Sequence, residues 1–229
     1  MEERTRAETI YGALRKAIIE QALAPGAKLP EDMVGETFGV SRTIARRALE
    51  QLAAEELVEF RPNRGASVAR PTLEDGRDLF GVRIDLERVV VRRLTGHLEA
   101  DQVATLRRMV EHEHHAHHNG RPEYIRLAAE FHVILGEMTG SPVLSRMLTQ
   151  LVWRSALVLR LHGRPRWDNC NLQEHLNLID ALRGSDADAA ETLMVLHLEN
   201  VLLRGLGGDG AESGTDMGEA LRRYATVPA

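Results

Sequence analysis

The 229-residue chain holds a single cysteine, Cys170, so no disulfide can form within it. One unpaired thiol fits a reducing compartment, and the expectation is a cytoplasmic protein in which Cys170 is a small packing residue. No apolar run approaches the roughly 20 residues that a membrane-crossing helix needs. The first residues, Met1-Glu2-Glu3-Arg4-Thr5-Arg6, are charged where a secretory signal would be apolar. Aromatic residues make up only 4% of the chain, so any core must be built from Leu, Val, Ile and Ala. An excess of positive charge is also lacking: the formal net charge is −5. Such a surface repels phosphate over most of its area, so nucleic-acid affinity must come from a placed patch. Residues 1–70 balance at eleven Lys/Arg against eleven Asp/Glu, yet the charge is unevenly spread. Arg42, Arg46, Arg47, Arg61 and Arg64 gather in one region, with Glu2, Glu3 and Glu8 at the far end.

What is present reads as mainly α. A helix is expected from about Thr5 to Gln21, on the helical spacing of Ile10, Leu14, Ala17 and Ile18, ended by Pro25-Gly26. Leu29-Pro30-Glu31-Asp32 opens a second, short helix, since Pro and acids favour a first turn. Gly39 closes it, where positive φ is easiest for glycine. Ser41 is a good N-cap for a third helix. At about 100° per residue, Arg42, Thr43, Arg46, Arg47 and Glu50 share one half of this helix. Ile44, Ala45, Ala48, Leu49 and Leu52 fill the other. An outward row of Arg and Thr suits a major-groove reading helix, because Arg can take two guanine acceptors at once. The same pattern also describes an ordinary amphipathic helix with a solvated face. Two short strands follow, near Val58-Glu59-Phe60 and Ala66-Ser67-Val68-Ala69, around the turn-rich tip Arg61-Pro62-Asn63-Arg64-Gly65. Three helices and a basic-tipped hairpin make a winged helix-turn-helix.

Residues 7–70 resemble the N-terminal domain of the GntR family of bacterial transcription regulators. The resemblance rests on Leu23-Ala24-Pro25-Gly26-Ala27-Lys28-Leu29, Phe38-Gly39-Val40-Ser41-Arg42-Thr43, Arg46-Arg47-Ala48-Leu49, Leu52 and Asn63-Arg64-Gly65. It implies that Ser41, Arg42, Thr43 and Arg46 face DNA, with Arg47 expected beside them from its place on the outward half of the helix, and that Arg64 and Gly65 place the wing in the adjacent minor groove. Where many relatives carry Pro-Val after the Thr, this chain has Ile44-Ala45. Where others have a basic residue early in the second helix, it has Asp32.

Arg70-Pro71 leads into a second domain, and Thr72-Leu73-Glu74-Asp75 resembles a capping box. Helix then follows helix to about Gly207, broken at Gly120-Arg121-Pro122, Thr139-Gly140-Ser141-Pro142 and Gly163-Arg164-Pro165. The very apolar stretch Leu144–Leu161 should be central to a bundle, and helices at 169–182 and 187–206 complete it. The expected organisation is a DNA-binding domain at 1–70, an all-helical domain at 71–207 and a flexible tail at 208–229, with room for a short helix from Met217 to Tyr224.

Eight of the ten histidines fall into two groups. His112, His114, His115, His117 and His118 gather at one helix end and read as a solvated C-terminus. His132, His175 and His197 lie in three separate apolar-periodic helices. A lone inward His is ordinarily a satisfied core residue, but three in one bundle can build a site. Imidazoles in that number suit zinc or nickel. Residues 73–206 resemble the FCD effector domain of the FadR-type branch, through Arg83, Glu87, Glu130-Phe131-His132, Glu174-His175 with Ile179-Asp180-Ala181-Leu182, and Met194 with His197-Leu198. Many members hold a divalent metal through one Asp and three His, and the metal helps hold a carboxylate effector. The resemblance puts His132, His175 and His197 on the His positions and Ala128 where the Asp usually lies. Glu130 is about 200° round the helix from that position and cannot replace it. Arg83, Arg154 and Arg160 are candidates to grasp an effector carboxylate, Arg83 with support from the family pattern.

The function expected is therefore a homodimeric DNA-binding regulator, a repressor of a pseudo-palindromic operator, released by a small carboxylate. It is not expected to be an enzyme: no HExxH pairing is present, and Glu174 faces about 100° away from its neighbour His175. The rival readings are a metal-dependent hydrolase or hydratase on the three His, and a DNA-architectural protein whose bundle is filled.

Overall fold

The computed structural model describes residues 2–163 and 172–206. It divides after Pro71 into two compact units. The first contains α1 (Glu2–Ile19), β1 (Lys28–Leu29), α2 (Glu31–Phe38), α3 (Arg42–Ala54), β2 (Val58–Arg61) and β3 (Gly65–Val68). Its core is aliphatic: Ile10, Leu14 and Ile18 of α1 lie under the face of α3 made by Ile44, Ala45, Ala48, Leu49 and Leu52, all buried. This is the half-and-half division expected for α3. Gly39 caps α2 at φ 63°, and Ser41 caps α3 by accepting from the Ile44 N–H at 3.4 Å.

Three boundaries differ from expectation. α1 begins near Glu2 rather than Thr5, its first turns carrying an Arg4–Glu8 ion pair at i,i+4 spacing. It stops because Gln21 takes a left-handed φ of 58°, before Pro25 is reached. Leu29 does not open α2. It is fully buried in β1, which adds a third strand on β3 with Lys28 opposite Ser67 and Leu29 opposite Ala66. The sheet order is β1-β3-β2, both pairs antiparallel. At the hairpin tip Asn63 and Gly65 take φ of 59° and 71°, which is why a glycine follows Arg64 there.

The second unit is a helical bundle: α4 (Leu73–Leu94), α5 (Ala100–His118), α6 (Tyr124–Met138), α7 (Pro142–His162), α8 (Leu172–Arg183) and α9 (Ala187–Gly205). The capping box opens α4: the Asp75 N–H donates to Thr72 Oγ1 at 3.1 Å and the Thr72 N–H to Asp75 Oδ2 at 2.7 Å. α7 is central, as its composition suggested. It buries Leu148, Val152, Trp153, Ala156, Leu157 and Val158 and packs on both α4 and α6. Gly76 permits the α4–α7 approach, since a Cβ there would lie 2.5 Å from Val158 Cγ1. α8 packs between α5 and α9, which brings α6, α8 and α9 to a common interior. The expected start of α8 at Asn169, Cys170, and the tail with its Met217–Tyr224 helix lie outside the described residues. No helix among the described residues is long and apolar enough to cross a membrane.

Candidate functional site

Two sites emerge, one in each unit. In the first, Ser41, Arg42, Thr43, Arg46 and Arg47 of α3 are all exposed, as are Arg64 and Gly65 at the wing tip. Burying the aliphatic half of α3 leaves this row no other direction. The arginines do not stand in open solvent, however. Arg42 Nε lies 2.7 Å from Glu31 Oε2 and 3.7 Å from Asp32 Oδ1. Arg46 meets Glu31 Oε1 at 3.2 Å and Glu50 Oε1 at 2.9 Å, and its guanidinium sits over the Phe60 ring at 5.7 Å. Arg47 is 3.5 Å from Glu3. Reading Glu31 only as a first-turn acid missed this contact, which joins two helices.

In the second unit, His132 of α6, His175 of α8 and His197 of α9 do converge. Each offers a ligand atom within 4.8 Å of the others, and all three are buried. Each imidazole is held from behind by a carboxylate. His132 Nδ1 lies 2.6 Å from Glu87 Oε2, His175 Nδ1 2.9 Å from Glu113 Oε2, and His197 Nδ1 2.8 Å from Glu174 Oε2. Glu87 also accepts from Arg83 Nε at 2.6 Å. Glu174 accepts from Asn200 at 3.0 Å and from Arg204 at 3.0 Å.

This arrangement fixes the proton positions. Burial pushes the Glu87 carboxyl up, but His132 and Arg83 outweigh it and hold it at about 2. Glu174 is likewise held at about 2, its burial overcome by His197 and Arg204. Burial lowers His132 to about 4 and His197 to about 3, neighbouring imidazoles adding to the effect. At neutral pH the His132 and His197 rings are therefore neutral and the Glu87 and Glu174 carboxylates charged. A charged carboxylate can only accept, so Nδ1 of His132 and of His197 carries the proton and their Nε2 atoms present lone pairs, while His175 Nδ1 faces Glu113 in the same manner. His132 Nε2 and His197 Nε2 face each other at 3.3 Å, and His175 Nε2 is buried with no hydrogen-bond partner among the described residues.

The two facing lone pairs of His132 and His197, with the unpartnered His175 Nε2 beside them, make a set of nitrogens that suits a cation. The 3.3 Å separation is close to the ~3.4 Å between two imidazole nitrogens on one tetrahedral zinc ion. A buried histidine set backed by carboxylates is the usual surrounding of a bound transition metal. The residues thus fit a divalent ion. Ala128 lines the adjoining cavity of about 50 Å³ and supplies no ligand, and Glu130 is turned to Arg126 at 2.7 Å.

Arg83 lines the same cavity. Arg154 is not among the lining residues; its charge is felt by Asp75 near the start of α4. Arg160 hydrogen-bonds Tyr124, whose side chain lines the cavity. His112, His115 and His118 are exposed, while His117 meets the Tyr124 ring edge-on at 5.2 Å. The functional residue in that run is Glu113, which turns inward among the histidines. Glu174, the base the hydrolase reading would need, is engaged by His197, Asn200 and Arg204. The cavity also departs from the filled bundle of the architectural reading.

Comparison with known proteins agrees with both halves. The sequence model described as "Bacterial regulatory proteins, gntR family" matches residues 6–68, and that of the FCD domain matches residues 78–200. The chain is 28% identical over 204 residues to the HTH-type transcriptional repressor RspR of Escherichia coli (strain K12), covering 85% of this chain and 86% of RspR. It is 25% identical over 194 residues to the HTH-type transcriptional regulator YdhC of Bacillus subtilis (strain 168), covering 83% and 86%. A crystal structure of a GntR regulator from Rhodococcus sp. RHA1 superposes with a TM-score of 0.74 at 26% identity, covering 89% of this chain and 99% of that one. The chain belongs to the GntR family of bacterial regulatory proteins, in the FadR-type branch with an FCD domain, and is a DNA-binding transcription regulator controlled by a small-molecule effector rather than an enzyme.

Proposed function

We propose that this chain is a homodimeric repressor whose grip on a pseudo-palindromic operator is released by a small carboxylate held in the bundle at a divalent metal ion. The observation that carries the proposal is the convergence of buried His132, His175 and His197 with a carboxylate behind each ring. His132, His175 and His197 would hold the ion, zinc or nickel by the chemistry of three imidazoles. When bound, the ion supplies a positive centre to which a carboxylate oxygen can attach. Glu87, Glu113 and Glu174 keep each ring in the ligating tautomer. Ala128, standing where an acidic ligand is usual, leaves room beside the histidines for the effector. Arg83 gives the cavity wall a fixed positive charge, its Nε tied to Glu87.

At the other end, Ser41, Arg42, Thr43, Arg46 and Arg47 would meet bases and phosphates in the major groove, and Arg64 and Gly65 the minor groove. One reading helix covers a short half-site, so a two-fold dimer doubles the contact. The sign follows relatives such as RspR and NanR, which are named transcriptional repressors. Release requires the effector to bind the DNA-free state more tightly than the operator-bound state.

Tag-free protein titrated with zinc or nickel should show a rise in unfolding temperature that His132→Ala abolishes. A panel of small carboxylates should raise it further only with metal present. No metal-dependent rise in the wild type, or an equal rise in His132→Ala, would overturn the metal site. A carboxylate response equal with and without metal would overturn the proposed role of the ion.

A further inference from the structure

The exposed face of α3 is not a free basic surface. Arg42, Arg46 and Arg47 are met by Glu31, Asp32, Glu50 and Glu3. Among these acids Glu31 stands apart. It is the first residue of α2, following Pro30, whose φ is −62°, and its negative charge suits the helix N-terminus. Its side chain is 12% exposed, against 70% for Asp32 and 52% for Glu50. One oxygen takes Arg42 Nε at 2.7 Å and the other takes Arg46 Nη1 at 3.2 Å. A single carboxylate from α2 thus grips two guanidinium groups that stand one turn apart on the reading helix.

That grip has two consequences. Reading a guanine needs a guanidinium held in a defined plane, and a long exposed side chain otherwise loses rotamer freedom on binding. Arg42 meets Glu31 through Nε, the inner nitrogen of its guanidinium, and its terminal nitrogens are the ones that can reach a guanine. Conversely, a phosphate is present beside every base pair of any sequence. An arginine that must leave Glu31 to reach a phosphate gains less from arbitrary DNA.

We propose that Glu31 is a positioning residue for operator recognition. It holds Arg42 and Arg46 in one arrangement for base contacts and suppresses their attraction to DNA of arbitrary sequence. This rests on the reading of α3 as the recognition helix.

The test begins by enriching bound duplexes from a randomised pool with the wild-type protein. Binding to the enriched duplex and to a random duplex of equal length is then followed by fluorescence anisotropy over a salt series. Proteins compared are the wild type, Glu31→Gln, Asp32→Asn and Arg42→Ala. Glu31→Gln should bind the enriched duplex about tenfold more weakly, as two side chains lose their preset placement. It should bind random duplex several-fold more tightly, with the slope of log K against log salt steeper by about 1–2 as two arginines reach phosphates. Asp32→Asn removes the same charge with only one longer contact, and should tighten both duplexes by a similar small factor. Glu31→Gln behaving like Asp32→Asn would reduce Glu31 to a charge and overturn the proposal. So would undiminished binding of the enriched duplex by Glu31→Gln. If Arg42→Ala binds the enriched duplex like wild type, α3 is not the reader and the proposal falls with that reading. Should Glu31→Gln fail to fold, Glu31→Asp keeps the charge but shortens the reach. It should lose affinity for the enriched duplex with random binding unchanged, and wild-type behaviour would refute positioning.

Discussion

Replacing Glu87 by glutamine tests the tautomer argument at its most constrained point. Glu87 is fully buried, with Arg83 Nε on one oxygen and His132 Nδ1 on the other. Arg83 has only donors to offer, so the glutamine must turn its carbonyl oxygen to Arg83. Its NH₂ group then points at His132 Nδ1, which has to become the acceptor. The ring proton moves to Nε2, the nitrogen that faces the other two histidines, and His132 ceases to be a ligand. Two magnitudes follow. Removing one charge of a buried ion pair costs about 3–5 kcal/mol. The new Nε2–H of His132 can donate to His197 Nε2, 3.3 Å away, which returns about 0.5–1.5 kcal/mol. Metal-free Glu87→Gln should therefore lose about 1.5–4.5 kcal/mol in urea unfolding. Zinc affinity, read by competition with a chromophoric chelator, should fall by at least the 10–100-fold typical of outer-shell partners. At a zinc concentration of about 100 times the wild-type Kd, the wild type gains about 2.7 kcal/mol and the variant only about 0.4–1.4. If Glu87→Gln is destabilised yet binds zinc as tightly as the wild type, the carboxylate supports the fold alone and the tautomer argument is wrong.

Two further outcomes follow from the same centre. The metal-free protein should lose stability as pH falls from about 6.5 toward 4, because His132 and His197 are lowered to about 4 and 3 when folded. In that window the unfolded chain binds protons that the folded chain refuses, so stability is present above the ordinary histidine range and is lost on acidification. Urea unfolding at pH 7 and pH 5 measures it, and equal stabilities would contradict neutral buried rings. Ala128→Asp places a carboxylate one turn before His132 on the cavity wall, and should tighten zinc binding by at least tenfold, comparable with what outer-shell partners contribute. Calorimetry showing unchanged affinity would mean that residue 128 does not face the ion.

The sequence was most legible where one element carries its own signal. The face of α3 could be read because burial divides its residues at helical period, and Gly39 and Ser41 punctuate it. β1 could not, since two residues have no period, and Lys28-Leu29 becomes a strand only because β3 has an open edge. The histidine triad shows as one imidazole in each of three apolar-periodic helices, which the family pattern then places on ligand positions, while its carboxylates lie partly in view. Glu87 falls on the buried stripe Phe80, Arg83, Glu87, Val91, and Glu113 on the stripe Leu106, Val110, Glu113, Ala116. An acid inside an apolar stripe signals a buried charge with a partner. Glu113 was obscured by the five histidines around it. Glu174 was discounted because it points away from His175, which is correct on α8; its partner His197 comes from α9. Pairs of that kind are set by helix packing and leave no spacing to read. Glu31 with Arg42 and Arg46 is the same case in the first unit.

The charges around the histidines also give the proposed site an order of events. Counted formally with the imidazoles as uncharged ligands, the carboxylates Glu87, Glu113 and Glu174 that meet the rings stand against the guanidinium groups Arg83 and Arg204 that meet those carboxylates, which leaves one negative charge in excess. A carboxylate entering the metal-free cavity would meet that excess and the lone pairs of His132 and His197, with desolvation to overcome as well. A divalent cation meets the same groups as attraction. Once it is in place the balance reverses to one positive charge, and a mono-anionic effector restores neutrality. On the proposed function, cation binding would therefore precede the effector, and the absence of an acid at Ala128 would strengthen the reversal. An aspartate there would lower that positive charge by one, so Ala128 would leave an ion at the proposed site with more charge for an effector carboxylate to meet than an aspartate would.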